Sequence, residues 1–139
     1  MKILIINGPN LNMLGNREEN IYGNLTYNEM NHELKKYYEN LDFFQSNHEG
    51  LIIDEIQKVV KSDEYGGVII NAAAYTHTSI AIRDALLMVN IPLVEVHLSD
   101  INNREDFRKI NYIKDICSET FMGHGIDSYK DAIDWLSKV

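Results

Sequence analysis

An open, doubly wound α/β sheet of five parallel strands is the fold class this sequence predicts, and three observations predict it. Short apolar runs recur along the 139 residues, most of them unbroken by polar side chains, as strands covered on both faces require. Longer amphipathic stretches separate the runs and give repeated β-then-α units. No linker rich in proline or in glycine and serine, no repeat and no low-complexity run interrupts the series, so one domain over residues 1–139 is expected. Such a pattern fits the flavodoxin-like arrangement, with strand order 2-1-3-4-5 and helices on both faces.

The strands are read at Ile3–Ile6, Leu41–Gln45, Gly67–Ile70, Leu93–Val96 and Thr120–Met122. Between the first two, Thr26-Tyr27-Asn28-Glu29 has the spacing of a capping box, which starts a helix that runs to about Glu39. The next helix, Leu51 to Lys61, places Ile52, Ile53, Ile56, Val59 and Val60 on one face. Thr78 or Ser79 can cap a third helix through about Val89. Asp127 or Ser128 can cap the last, whose Tyr129, Ile133 and Trp135-Leu136 would pack inward.

Bulk chemistry excludes several classes of partner. Formal net charge is −8, and the basic residues are scattered rather than gathered in a stripe, so a nucleic-acid footprint is missing. An anionic substrate would have to be held by a few local arginines, backbone N–H groups and helix N-termini. The single cysteine, Cys117, can form no internal disulfide, and the apolar start Ile3 to Ile6 is too short to cross a bilayer. A soluble, reduced, cytoplasmic protein is the expectation.

In doubly wound sheets, ligands bind beyond the carboxyl ends of the strands, where the strand order reverses. After the first strand comes "NGPNLNMLGNREENIYGNLT", about twenty residues where about 2–6 are usual, and long ordered loops tend to be functional. It carries Asn10, Arg17 and Tyr22. A phenol titrates near pH 10, so Tyr22 could act as a base near neutrality only if a cation such as Arg17 stabilises its phenolate. Spacing alone favours the plainer reading, a rim tyrosine and a solvated arginine.

After the third strand, Asn71 and His77 lie in "NAAAYTHTS", whose hydroxyls are ordinary helix caps and whose helix N-terminus could also hold a carboxylate. On the fourth strand Glu95 and His97 are two apart and share a face, where a carboxylate can tune an imidazole; a partly buried pair satisfied by water has the same spacing. Arg104 and Arg108 are four apart and would align if their segment is helical. Spacing does not choose between them, or between a surface ion pair and an anion contact.

The sequence lacks the G-x-S-x-G, G-x-x-x-x-G-K-[ST] and G-x-G-x-x-G patterns of serine hydrolases, P-loop enzymes and dinucleotide binders. No recognised metal-ligand spacing is present either, although His77, Asp84, Glu95 and His97 could converge.

Read together, "NGPNLNMLGNRE" with "YG", "FFQSNHEG", "INAAAYTHTS", "IRDAL" and "EVHLS" followed by "REDFR" resemble the type II 3-dehydroquinate dehydratases of the shikimate pathway, in order and over nearly the whole chain. The resemblance implies a flavodoxin-like subunit, trimers associating into a homododecamer, and reversible loss of water from 3-dehydroquinate without metal or cofactor. It also implies roles. Tyr22 would be the base that removes a proton next to the ketone, and Arg17, on a lid, would lower its pKa. Asn10 would help hold a water against the enolate oxygen, and His97 would protonate the departing hydroxyl. Asn71, His77, Leu98, Ser99 and Arg108 would bind substrate, with Asp84 reaching across a subunit interface.

The chain departs from the family pattern twice. Glu19 stands where the R-E-P pattern has proline, which implies a looser and more acidic lid. Asp100 stands where H-x-S-N has asparagine, which sets a negative charge beside the expected carboxylate site unless its side chain points away.

Overall fold

The computed structural model describes residues 1–16 and 24–139. Five strands form one all-parallel sheet in the order β2-β1-β3-β4-β5: β1 Ile3–Asn7, β2 Leu41–Gln45, β3 Gly67–Asn71, β4 Leu93–His97 and β5 Glu119–Met122. Every residue of β1, β3 and β4 is buried, which is why their sequences lack polar alternation. Among the described residues four helices, α1 Tyr27–Tyr37, α2 Glu49–Val60, α3 Ile80–Leu86 and α4 Ile126–Leu136, cover the two faces.

Alternation along each strand splits the core in two. Ile3, Ile5, Ile69, Val94 and Val96 meet Met30 and Leu34 of α1 and Tyr129, Ala132, Ile133 and Leu136 of α4. Leu4, Ile6, Val68, Ile70 and Leu93 meet Ile52, Ile56 and Val59 of α2 and Ile82, Ala85 and Leu86 of α3.

The capping box at Thr26 and Glu29 is formed on both sides, with Glu29 N donating to Thr26 Oγ1 and Thr26 N to Glu29 Oε1. Other ends differ from expectation for local reasons. Glu49 opens α2 two residues early, after His48, which makes no side-chain cap. The cap of α4 is neither Asp127 nor Ser128 but Gly125, at φ 57°. Ser128 instead lies inside the first turn, and its Oγ accepts from His124 N. Of the last helix, Trp135 is only partly buried while Tyr129, Ile133 and Leu136 are fully inside. Between β4 and β5 the chain makes three short 3-10 turns, Ile101–Asn103, Asp106–Lys109 and Lys114–Ile116, in place of a helix.

Gly8 is needed where the β1 and β3 exits cross. A Cβ there would lie 2.7 Å from the carbonyl carbon of Ala72 and closer still to its oxygen, while Gly8 N donates to Asn71 O at 2.8 Å. Gly8→Ala is therefore expected to cost about 1–3 kcal/mol of stability, measured by denaturant unfolding, because backbone rather than a flexible side chain must yield.

Candidate active site

The switch point of this sheet lies between β1 and β3, since the chain moves from β1 outward to β2 and returns to the other side for β3. At that end a cleft is lined by Pro9, Asn10 and Leu11 after β1, and by Asn71, Ala73, Ala74 and His77 after β3. Behind β4 it is lined by His97, Leu98, Ser99, Ile101, Arg104 and Arg108. Asn10, Asn71, His77, His97, Leu98, Ser99 and Arg108, expected from the sequence at one site, are thus brought together. Arg17 and Tyr22, and Glu19 with them, lie outside the described residues.

The floor of the cleft is a buried polar brace. Asn7 and Asn71 are register partners on β1 and β3, and Tyr129 of α4 reaches up between them. Its hydroxyl donates to Asn7 Oδ1 at 2.6 Å and accepts from Asn71 Nδ2 at 2.9 Å. Asn71 Oδ1 in turn accepts from Ala73 N at 3.1 Å, which holds Ala73 at φ 52°, a left-handed conformation that a side chain disfavours. Burial pushes the Tyr129 phenol well above its ordinary pKa, so it stays a neutral donor and acceptor. Sequence periodicity identifies Tyr129 as core but carries no sign of this brace.

Asn10 has φ 71°, again left-handed, and its N–H donates to Asn47 Oδ1 at 2.9 Å. The same oxygen accepts from Gln45 Nε2 at 3.2 Å, and Gln45 also donates to Gly8 O at 3.1 Å. Two side chains from the end of β2 therefore fix the turn that presents Asn10.

His77 sits on a 3-10 turn, Ala73–His77, that intervenes between β3 and α3. That turn takes the α3 N-terminus out of the cleft lining, contrary to the sequence expectation of an anion site there. Ser79 caps α3, accepting from Ile82 N and donating to Glu49 Oε2 in a short hydrogen bond. The His77 Nδ1–H donates to Ile110 O at 2.7 Å, since a carbonyl can only accept. Burial lowers its pKa, against that hydrogen bond, which favours a neutral ring whose Nε2 presents a lone pair.

Glu95 and His97 are 0% and 4% exposed, and His97 Nε2 donates to Glu95 Oε2 at 2.6 Å. The water-satisfied surface pair is therefore excluded. Burial disfavours the Glu95 charge, but hydrogen bonds from His97, Asn111 and Thr120 outweigh it and hold the carboxyl below its ordinary pKa. With Nε2 committed to Glu95, Nδ1 is the ring nitrogen left to exchange a proton with a ligand.

Both arginines line the cleft, although the resemblance selects Arg108 alone. Arg104 is extended, not helical, and its Nη1 donates to Ser99 Oγ at 3.4 Å. Arg108 Nε donates to Glu105 Oε1 at 2.9 Å, and its guanidinium lies over the Phe107 ring. Asp100 points away from the cleft: its Oδ1 accepts from Asn102 N and its Oδ2 from Asn103 Nδ2, each at 3.0 Å. The carboxylate caps the following turn, so its charge is spent locally. Asp84 is exposed on α3 and does not line the cleft of its own chain. Among the described residues no three His, Cys, Asp or Glu side chains gather as a metal-holding group, and no helix is long and apolar enough to cross a membrane.

This arrangement compares closely with known proteins. A family model described as "Dehydroquinase class II" matches residues 1–137. A protein of Prochlorococcus marinus (strain MIT 9301) named 3-dehydroquinate dehydratase is 52% identical over 138 residues, spanning 96% of this chain and 92% of its own. One of the same name from Francisella philomiragia subsp. philomiragia is 51% identical over 137 residues, with 96% and 92% covered. The crystal structure of the type II dehydroquinase from Butyrivibrio crossotus superposes with a TM-score of 0.95 at 47% identity, covering 99% of this chain and 97% of that one.

Proposed function

The chain belongs to the class II dehydroquinases, and from that premise we propose that Tyr22 and His97 share the two proton transfers of its reaction, the dehydration of 3-dehydroquinate to 3-dehydroshikimate in the shikimate pathway. The buried Glu95–His97 pair at the rim of the cleft is the observation that carries this reading. Loss of water next to a ketone needs a base for the adjacent proton, a stabiliser for the enolate oxygen and an acid for the leaving hydroxyl.

Tyr22, as phenolate held by Arg17, takes the proton, and the carbon it leaves becomes part of the enolate. Asn10 holds a water against the developing oxyanion. As the enolate collapses, the carbon–oxygen bond to the hydroxyl breaks, the new double bond forms, and the Nδ1–H of protonated His97 converts the hydroxyl to water. Glu95 stabilises the imidazolium before transfer. Ser99 with the neighbouring amides and the arginine side of the cleft take the substrate carboxylate, while Asn71 and the lone pair of His77 hold its hydroxyls.

Assembly belongs to the same reading. The open side of α3 carries Asp84 beside Ile80, which is 56% exposed, with Leu87 and Met88 also exposed just beyond the helix. An apolar surface of that kind suits a neighbouring subunit, across which Asp84 would reach a second cleft in a trimer-based dodecamer.

The conjugated ketone of the product absorbs in the ultraviolet, so turnover of purified protein is read directly. His97→Gln is expected to lower kcat by about 10²–10⁴-fold with little change in KM. Undiminished turnover in that variant would remove His97 from its role. Saturable binding of 3-dehydroquinate by the unaltered protein without any rise in absorbance would instead mark a silent binding module.

A further inference from the structure

The geometry points to Thr120 and Asn111 as positioning residues of the reaction, which act by clamping both oxygens of Glu95 so that its Oε2 faces His97. The inference rests on the reading of His97 as the general acid. Thr120 is the register partner of Glu95 on the neighbouring strand, so the two side chains leave the sheet on the same face. Thr120 Oγ1 donates to Glu95 Oε1 at 3.0 Å. Asn111 Nδ2 donates to Glu95 Oε2 at 2.8 Å, beside the 2.6 Å bond from His97 Nε2.

The direction of the Asn111 amide is not free. Its Oδ1 accepts from Ile113 N and Lys114 N, both at 3.0 Å, in the turn that begins the Lys114–Ile116 segment. With the oxygen engaged there, only the NH₂ end can face Glu95, and it can only donate. Two donors besides the imidazole thus converge on one buried carboxyl, which fits an ionised carboxylate and opposes its rotation. Without them the carboxylate would be free to turn its proximal oxygen away from the ring, and the imidazolium would lose its counter-ion at the moment it is needed. Neither residue lines the cleft, so neither contributes by touching substrate.

The test compares Thr120→Val, which keeps shape and strand propensity but removes the hydroxyl, with Thr120→Ser, which restores the donor. Thr120→Val is expected to lower kcat about tenfold with KM unchanged. The same change should move the ring N–H resonance of His97 in proton NMR, which reports the hydrogen bond to Glu95. Thr120→Ser is expected to recover most of kcat and the original resonance. Wild-type kcat and an unmoved His97 signal in Thr120→Val would overturn the inference. So would a loss confined to KM, or one that Thr120→Ser fails to recover. His97→Gln run beside them separates the two levels. If His97→Gln is fully active, the reading of His97 fails; if it is dead while Thr120→Val is normal, the clamp alone fails.

Discussion

Tyr22→Phe is expected to abolish dehydration of 3-dehydroquinate, a loss of about 10³-fold or more, because no other group replaces the phenolate as base. A phenol with its ordinary pKa near 10 would be ionised in only about one molecule in a thousand at pH 7, so the role depends on a cation beside it. Arg17 is the candidate, and a guanidinium keeps its charge throughout the working range. The check is the absorbance assay together with circular dichroism and solution sizing, which should match the unaltered protein. Full turnover by a folded Tyr22→Phe protein would sink the assignment.

Glu95→Gln carries the second large expectation, and it has two parts. Catalytically, an amide keeps the shape of the side chain but cannot offset the imidazolium charge, and kcat should fall by about 10²-fold. Energetically, the Glu95 carboxyl is held below its reference pKa of 4.5, so the folded protein favours the ionised form. The contribution it makes is therefore present above the unfolded pKa and is lost as pH falls through the lower folded pKa. Unfolding free energy of the unaltered protein should decline on acidification below about pH 4.5, and in Glu95→Gln that part of the decline should be missing. Denaturant titrations at several pH values measure it, and parallel acid profiles for the two proteins would contradict the assignment.

The strands and the four helices were legible because fully buried parallel strands leave uninterrupted apolar runs, and because Thr26 and Glu29 spell out a capping box. Where a helix end depends on backbone conformation, the sequence carries less. Gly125 caps α4 through its left-handed backbone, while Asp127 and Ser128 offer hydroxyl and carboxylate groups that look like better caps. The sequence marks the Ser79 cap of α3, but the 3-10 turn Ala73–His77 before it has no periodicity of its own, so nothing in the sequence shows that this turn takes the helix N-terminus out of the cleft lining.

In the site, Glu95 and His97 were readable from a spacing of two on a strand, a purely local relation. Their partners were not. Thr120 meets Glu95 only through the register of β4 and β5, and Asn111 only through an irregular connection. Asp100 shows the opposite case, in which a carboxylate that the sequence sets beside the site is turned from the cleft by two hydrogen bonds to its own turn.

The Tyr129 brace has a consequence for biosynthesis. Asn7 and Tyr129 are 122 positions apart, and the hydroxyl that joins the ends of β1 and β3 belongs to a helix translated after all five strands. During vectorial synthesis the sheet can begin to assemble while the floor of the cleft still lacks its central group. Until α4 docks, the ends of β1 and β3 lack the hydroxyl that joins them and the Ile3, Ile5, Val94 and Val96 face of the sheet lacks Ala132, Ile133 and Leu136, so a nascent chain stalled before residue 129 holds neither the brace nor that half of the core.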